Sequence, residues 1–484
     1  MPSIFRWLDE RLDLRRAKRD LLDREVPARL TWWHTLGSAT FTVFLVQVIT
    51  GTTLATYYSA SPDHAYDSIQ YISRQVASGT LLRGIHHWGA SAMVVLLVAH
   101  MIRVFAVGAY KYPREINWLL GVGLFLIVLG FSFTGYLLPW DQKAYWATAV
   151  GTNIAGTTPL IGGALVALLR GGSELGAATL ARFYAFHSLW LPLALTVVVA
   201  LHLIVLIRQG IAARPRDLEV GAPARTNDPK YPDYYREAYA ATKRAGMRFW
   251  PDILGKDAIV SAAVVLAIVL MAVVFRTPLE APADPTDTSY VPRPEWYFLP
   301  IYQLLKLVPG SMESLIAVGV PSLLILVMLG LPFFDRGSTR NLLHRPVALA
   351  SLAVILGGAG FLIGAAGRGP EAALEEAAIL TSVQRAGRAL YQSQQCGGCH
   401  RVAGQGGEEG PDLTTVGLRH SAGWLHSFLE QPSRFHSESR MPAYGPPALT
   451  HQEIEELSQY LSSLRGRGEV PPQFYDTFPP PQSP

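Results

Sequence analysis

Four histidines set in apolar runs, together with one CxxCH motif, are the residues with which this sequence could carry electrons. His86 and His100 lie fourteen residues apart in RGIHHWGASAMVVLLVAHMIR, from Arg83 to Arg103. His187 and His202 lie fifteen apart in FHSLWLPLALTVVVALHLIVLIR. On a helix, fourteen residues are close to four turns and about 21 Å, so both imidazoles of the first run leave one face at two depths. A histidine within hydrocarbon is costly and needs a partner. Neutral ring nitrogens facing one another inside lipid are the donor set for bis-imidazole ligation of haem iron, whereas a single such histidine could equally bond a neighbouring helix. The fifteen-residue interval turns His202 about 100° further, so its helix must absorb a residue. Pro192, between the two histidines, is a place for a kink. His87 points about 100° away from His86 and reads as structural or solvent-facing.

The only two cysteines, Cys396 and Cys399, stand in CGGCH with His400 directly after. This is the attachment signature of a c-type haem, with both thiols adding to the vinyl groups and His400 ligating iron. A zinc site would need further ligands of a kind that the segment lacks. Met441, in SRMPAYG, is the natural sixth ligand, with His420, His426 and His436 as rivals. HQEIEELSQYLSSL reads as an amphipathic closing helix.

A third feature is Glu295, between Pro294 and Trp296 and followed by Tyr297. Desolvation among aromatic and prolyl groups suits a carboxylate to accept a proton near neutral pH; an interface glutamate facing water is the plainer alternative. Gly37/Gly51 and Gly121/Gly135 repeat the fourteen-residue interval. They could let a flat macrocycle approach the backbone, or simply permit helix packing. Arg83 and Arg103, at the ends of the first histidine helix, could pair with haem propionates or snorkel to the interface.

The elements that must position these residues are membrane helices. Half of the 484 residues are hydrophobic and 16% are charged, which excludes an ordinary soluble enzyme. Spans are expected at about 36 to 58, 85 to 107, 118 to 138, 184 to 207, 257 to 275, 314 to 334 and 347 to 367. PLIGGALVALL, from Pro159 to Leu169, is too short to cross. The first 29 residues carry eight basic side chains, and the loops after the second, fourth and sixth spans are basic too, which places the N-terminus in the cytoplasm. The opening MPSIFRWLDERLDLRRAKRD is an amphipathic surface helix, not a signal peptide. The net charge of +4 reflects this basic collar and argues against nucleic acid. The fold class is therefore all-α, a seven-helix transmembrane bundle followed by a soluble helical domain. Its parts are a surface segment (1–30), a four-helix di-haem unit (31–210), a cytoplasmic linker (211–256), a three-helix unit (257–368) and an extracytoplasmic monohaem domain (369–484).

With the four histidines, the glycine pairs, PWDQ at 139–142 and PEWY at 294–297, the chain resembles cytochrome b of the quinol-oxidising Rieske/cytochrome b complexes. It is similar to the branch in which cytochrome b is split from a three-helix subunit IV, here joined to a class I type cytochrome c. The resemblance implies two non-covalent b haems, one held by His86 and His187 near the outer face and one by His100 and His202 near the cytoplasm, plus one covalent haem c. It implies an outer quinol pocket built from Pro294, Glu295, Trp296 and Tyr297 with the end of the third span. An inner quinone site would draw on Asp20, Arg208 and Asp252. The split branch holds an extra haem through a cysteine where this chain has Thr35, so no covalent haem is expected there. Implied partners are a Rieske iron-sulfur protein on a separate chain, a cytochrome c or terminal oxidase as acceptor, quinone, lipid and a second copy of the complex. The implied location is a bacterial inner membrane with the cytochrome c domain in the periplasm. The activity implied is quinol:cytochrome c oxidoreduction coupled to proton translocation. A passive di-haem anchor for a dehydrogenase-type complex would use the histidines but has no use for PEWY.

Overall fold

The computed structural model describes residues 2–244, 246–275, 277–285, 294–309, 312–366, 381–402, 405–407, 409–435, 439 and 441–464, without the side chains of 2, 3, 17, 20, 21, 405 and 406. Among the described residues, seven helical stretches are long and apolar enough to cross a membrane: Trp32–Ala55, Gly79–Ala106, Glu115–Tyr136, Ala177–Gln209, Phe249–Val274, Leu315–Phe334 and Pro346–Ala366. They coincide with the seven expected spans, the fourth starting at Ala177 rather than near 184. The chain forms two compact units, one of Met1–Pro139, Ala147–Thr277 and Pro294–Leu362, the other of Trp140–Trp146, Pro278–Arg293 and Ile363–Pro484.

In the first unit the amphipathic opening is two helices, α1 (Pro2–Leu12) and α2 (Leu14–Leu21), separated by Asp13 in a left-handed conformation. A two-residue strand β1 (Glu25–Val26) pairs antiparallel with β2 (Met247–Arg248). The bundle follows: α3 (Leu36–Ala55), the short α4 (Ala65–Arg74), α5 (Gly79–Ala106), α6 (Glu115–Tyr136), α7 (Gln142–Gly156, of which the part from Ala147 belongs to this unit), α8 (Gly162–Arg170), α9 (Ala177–Ala185) and α10 (Leu191–Gln209). The sequence too short to cross is α8. The spanning helices are apolar all round because their outer faces meet lipid and their inner faces meet one another. Val43 and Phe44 of α3, Met93, Val94 and Leu97 of α5, Leu124 and Val128 of α6, Leu195 of α10 and Ile268 form the buried centre.

The odd interval between His187 and His202 is resolved between α9 and α10. There Phe186–Trp190 forms a π turn, and the Leu191 N–H bonds to the Phe186 carbonyl five residues back. Such a turn takes up one extra residue. The device expected at Pro192 therefore sits one turn earlier, around His187 itself. Pro192 falls in the first turn of α10, where a missing N–H costs little.

The connection expected as a polar linker is folded. It holds α11 (Pro215–Glu219) and α12 (Tyr231–Arg244), and Tyr231, Tyr235 and Tyr239 of α12 are buried with stacked rings. Arg114 hydrogen-bonds the Tyr235 hydroxyl at 2.6 Å. The remaining spans of this unit are α13 (Leu254–Val274), α15 (Val320–Phe334) and α16 (Pro346–Ala366), with the short α14 (Leu299–Lys306) after PEWY. At the end of the bundle nearest His100, the loop after α5 is clamped to the loop after α15. Lys111 Nζ lies 2.7 Å from Asp335 Oδ1 and donates to the carbonyls of Gly337 and Thr339, while Arg345 meets Asp335 Oδ2 at 3.1 Å. Arg340, buried almost completely, donates to the carbonyls of Gly108 and Tyr112.

The second unit carries α17 (Ser382–Ser393), β3 (Arg401–Val402), β4 (Gln405–Gly406), α18 (Ala422–Glu430), α19 (Pro432–Phe435) and α20 (His451–Ser463). Thr381, Ser421 and Thr450 cap the starts of α17, α18 and α20 by accepting backbone N–H bonds. Gly387 of α17 sits so close to α20 that a Cβ there would lie 1.9 Å from the Glu456 carbonyl oxygen. In the same unit, Asp141 and Gln142 of PWDQ accept the backbone N–H groups of Glu280 and Asp284.

Candidate functional site

His86 on α5 and His187 in the π turn face each other, with ring centroids 6.3 Å apart and planes at 75°. Two imidazoles on opposite sides of one metal, each bonded at about 2.0 Å, would hold their centroids roughly 6 Å apart. The observed pair fits an iron between them. Each ring is oriented by a hydroxyl: Thr50 Oγ1 lies 2.9 Å from His86 Nδ1, and Thr134 Oγ1 lies 3.2 Å from His187 Nδ1. Both hydroxyls give their own protons to helix carbonyls, Val46 at 2.7 Å and Gly130 at 2.8 Å. The oxygens must then accept from Nδ1–H, which leaves each Nε2 with its lone pair for a metal. Sequence reading passed over these threonines, although both directly precede the paired glycines, as TG at 50–51 and at 134–135.

At the other level His100 has His202 and Arg103 as neighbours. No threonine stands here; the residues before Gly37 and Gly121 are leucines. The Nδ1 of His100 is buried without a hydrogen bond. The four glycines each lie against one histidine. A Cβ would meet the His100 ring at 3.1 Å from Gly37, the His86 ring at 3.0 Å from Gly51, the His202 ring at 3.8 Å from Gly121 and the His187 ring at 2.5 Å from Gly135. The matched glycines thus clear space for the imidazoles themselves. Arg83 is buried, with Nη1 3.4 Å from the Thr277 carbonyl. Arg103 is partly buried, and its Nε lacks an acceptor, as suits a donor to a carboxylate.

PEWY lies before α14. Tyr297 is partly buried and packs against the buried centre of the bundle, with Ser132 of α6 beside its hydroxyl. Burial pushes this phenol up, the Glu295 carboxylate adds to the rise and the Ser132 side chain opposes it. Trp296 is half exposed, its indole 3.5 Å from Ser91 Oγ and its ring edge-on to Tyr297. Pro294 and Glu295 are partly buried, and the Glu295 carbonyl accepts from Phe298 N–H.

The three residues expected at an inner quinone site are not joined to one another by a hydrogen bond or ion pair among the described residues. The Asp20 side chain lies outside them. Arg208 is exposed, and Asp252 is exposed and accepts the Arg248 backbone N–H. Asp257, which sequence reading did not single out, accepts a 2.6 Å hydrogen bond from Ser38, next to Gly37. Its signal was a carboxylate inside the apolar fifth span. Thr35 is buried, its hydroxyl bonded to the Trp32 carbonyl at 2.7 Å.

In the second unit, Cys396 and Cys399 are unbridged thiols on a tight turn, and His400 is buried beneath them. His400 Nδ1 lies 2.9 Å from the Pro411 carbonyl, which turns Nε2 outward for a metal. A Cβ at Gly410 would sit 2.6 Å from the ring. Met441 packs on the same apolar cluster as Tyr391, Leu425 and Leu457. Of its rivals, His420 stacks on Trp424, His426 faces Glu430 and Glu455, and His436 lies outside the described residues. The donor chemistry of His86 with His187, and of Cys396 and Cys399 with His400, suits an iron porphyrin.

Comparison with known proteins follows these divisions. Residues 21–210 match the family described as cytochrome b/b6/petB, residues 282–384 the family cytochrome b(C-terminal)/b6/petD, and residues 384–465 the family cytochrome c. The menaquinol:cytochrome c reductase cytochrome b subunits of Geobacillus thermodenitrificans and Bacillus subtilis are each 46% identical over 220 residues, which covers 44% of this chain and 98% of theirs. Cytochrome b6 of Chlamydomonas reinhardtii is 41% identical over 212 residues, 44% of this chain and 99% of its own. A solved structure described as a hyperthermophilic respiratory Complex III matches with a TM-score of 0.64 and 27% identity, covering 75% of this chain and 91% of that one. The chain belongs to the cytochrome b/b6 family, a multi-pass membrane protein whose b-type region and petD-type region continue on one polypeptide into a cytochrome c domain.

Proposed function

We propose that this chain is the quinol-oxidising subunit of a bc-type quinol:cytochrome c reductase. One electron of each quinol would cross between the two histidine levels, and the other would leave through a Rieske partner toward the cytochrome c domain. Bound at His86/His187, His100/His202 and Cys396/Cys399/His400/Met441, two b haems and one c haem supply reversible one-electron chemistry. The observation that carries the reading is the neighbourhood of Tyr297. It lies beside Ser132, three residues from Gly135, the glycine over His187. Residues three apart lie on one helix face, so PEWY and the His187 level adjoin within one unit. A quinol held there could give a proton to Glu295 beside a redox centre, while Tyr297, partly buried and kept protonated, donates a hydrogen bond.

Several further features support coupling to proton translocation. The two histidine levels are about 21 Å apart along α5, out of a core roughly 30 Å thick, so moving one charge between them works against about 1.6 kcal/mol per 100 mV. Asp257 with Ser38, next to the glycine over His100, is a better-placed inner proton donor than Asp252. Arg83 and Arg103 are read as propionate partners. The orientation proposed is an N-terminus in the cytoplasm and a cytochrome c domain outside, in a bacterial inner membrane. The complex is read as a homodimer with a separate cytochrome c or oxidase as acceptor.

The test uses the purified complex. Quinol should reduce both b-type and c-type haem when the Rieske protein is present, and c-type reduction should stop when that protein is removed. Reduction of the c-type haem at an undiminished rate without it would overturn the reading and favour a passive anchor.

A further inference from the structure

Two histidines and two glutamates of the second unit have no part in the redox chain, yet they converge on one spot. His426 and Glu430 are four residues apart on α18, and His451 and Glu455 four apart on α20, so each pair occupies one helix face. The two faces meet. Glu430 Oε1 lies 2.9 Å from His451 Nδ1 and 3.5 Å from His426 Nε2. The two imidazole planes are within 5° of parallel, with centroids 6.3 Å apart. Donor atoms of His426, Glu430 and His451 all lie within 4.8 Å of one another.

We propose that His426, Glu430 and His451, backed by Glu455, form a site for a divalent transition-metal cation of the Zn2+ class that bridges α18 and α20. Two imidazole nitrogens with one carboxylate oxygen favour a borderline ion over Ca2+ or Mg2+, which take oxygen ligands. Ligands at about 2.0–2.1 Å on a tetrahedral ion stand about 3.3 Å apart, and the two observed separations to Glu430 Oε1 straddle that value. Glu455 supplies the outer support: its Oε2 lies 3.3 Å from His426 Nδ1. Nδ1 makes no hydrogen bond in this arrangement, and Nε2 faces Glu430; with an ion on Nε2 the proton stands on Nδ1, and Glu455 is the carboxylate beside it. His451 is 74% exposed, so an ion can enter from solvent and keep water in a fourth position. The helices it would join lie on either side of the segment containing Met441, so the ion acts as a clamp on that segment's two ends. The plainer arrangement of the same residues, a set of ion pairs across the helices, needs charged imidazoles; metal binding needs neutral ones.

The experiment uses the full-length, haem-loaded protein near neutral pH, dialysed against Zn2+ alone, with bound zinc counted per c-type haem. The wild type should hold one zinc more than either His451→Ala or Glu430→Gln, and Glu455→Gln should hold that zinc about tenfold to a hundredfold more weakly. An unchanged visible spectrum of the c-type haem checks that each variant is folded, which His451→Ala should satisfy because the side chain is exposed. Equal zinc content and affinity in the wild type and in both ligand variants would overturn the proposal and leave the four residues as ion pairs.

Discussion

Thr50 Oγ1 stands 2.9 Å from His86 Nδ1 while committing its own proton to the Val46 carbonyl. The geometry fixes the histidine as an Nδ1–H donor and makes its Nε2 a stronger electron donor to a bound metal. Thr134 repeats it for His187. Replacing either threonine by valine keeps the shape and removes the acceptor. The haem held by His86 and His187 should then rise in midpoint potential by about 20–60 mV, the equivalent of one hydrogen bond at roughly 1 kcal/mol. The other b haem, whose histidines have no hydrogen bond on Nδ1 among the described residues, should not move. A redox titration in the α-band resolves the two.

The glycines make a graded series. A Cβ at Gly135 would sit 2.5 Å from the His187 ring, whereas one at Gly121 would sit 3.8 Å from His202, an ordinary contact. Gly135→Ala should lower haem b relative to haem c in a pyridine haemochrome assay, from two to one toward one to one. Gly121→Ala should leave the ratio at two.

Glu295→Gln keeps the size of the side chain and removes the proton acceptor. Quinol oxidation should slow by about 10²–10⁴, the usual contribution of a general base, with all three haem spectra intact. Turnover at the wild-type rate would remove Glu295 from the proton path.

Lys111 is buried, and its pKa is brought down to about 8, chiefly by burial, against which Asp335 pulls it up. Asp335 is held below its ordinary range: burial alone would raise it, but the bonds from Lys111 and Tyr110 and the charge of Arg345 prevail. Lys111→Met removes one side of this clamp and leaves part of the Asp335 charge unpaired. The loss should be on the order of 2–4 kcal/mol, read as a lowered unfolding temperature in detergent.

His420, stacked on Trp424, has its pKa lowered to about 4 by burial and by the Arg419 charge. Between the ordinary histidine value and that figure, the unfolded chain binds a proton that the folded domain does not. This stabilising contribution is complete above about pH 6.5 and fades as pH falls toward 4. The cytochrome c domain should therefore lose stability over that window, and His420→Gln should flatten the slope in pH-dependent denaturant titrations.

Much of this was legible because membrane chemistry writes large signals. Hydrocarbon demands long apolar runs, and a histidine at depth stands out against them, as His86, His100, His187 and His202 do. CxxCH is local and covalent, so no tertiary contact is needed to read it. What escaped depended on distance in space. Thr50 meets His86 across a helix pair, and nothing near Thr50 in the chain announces that partner. The π turn at Phe186–Trp190 has no composition of its own and shows only as an odd interval. The linker after α10 is rich in proline, tyrosine and basic residues and so reads as polar. In the fold Tyr231, Tyr235 and Arg114 bury one another. Arg340 and Lys111 were read as part of a basic collar, yet both are consumed by carbonyls and a carboxylate inside the protein.

The fastening of Lys111 to Asp335 joins the region matching petB to the region matching petD through side chains, not through the backbone that also connects them. The two bacterial relatives match over 220 residues, 98% of their own length, and so extend over about the first of these regions. Here the two regions are made in equal number and meet at a concentration set by the length of a loop, which dilution cannot lower. Fusion thus secures stoichiometry and the speed of assembly, while cohesion rests with the buried charges.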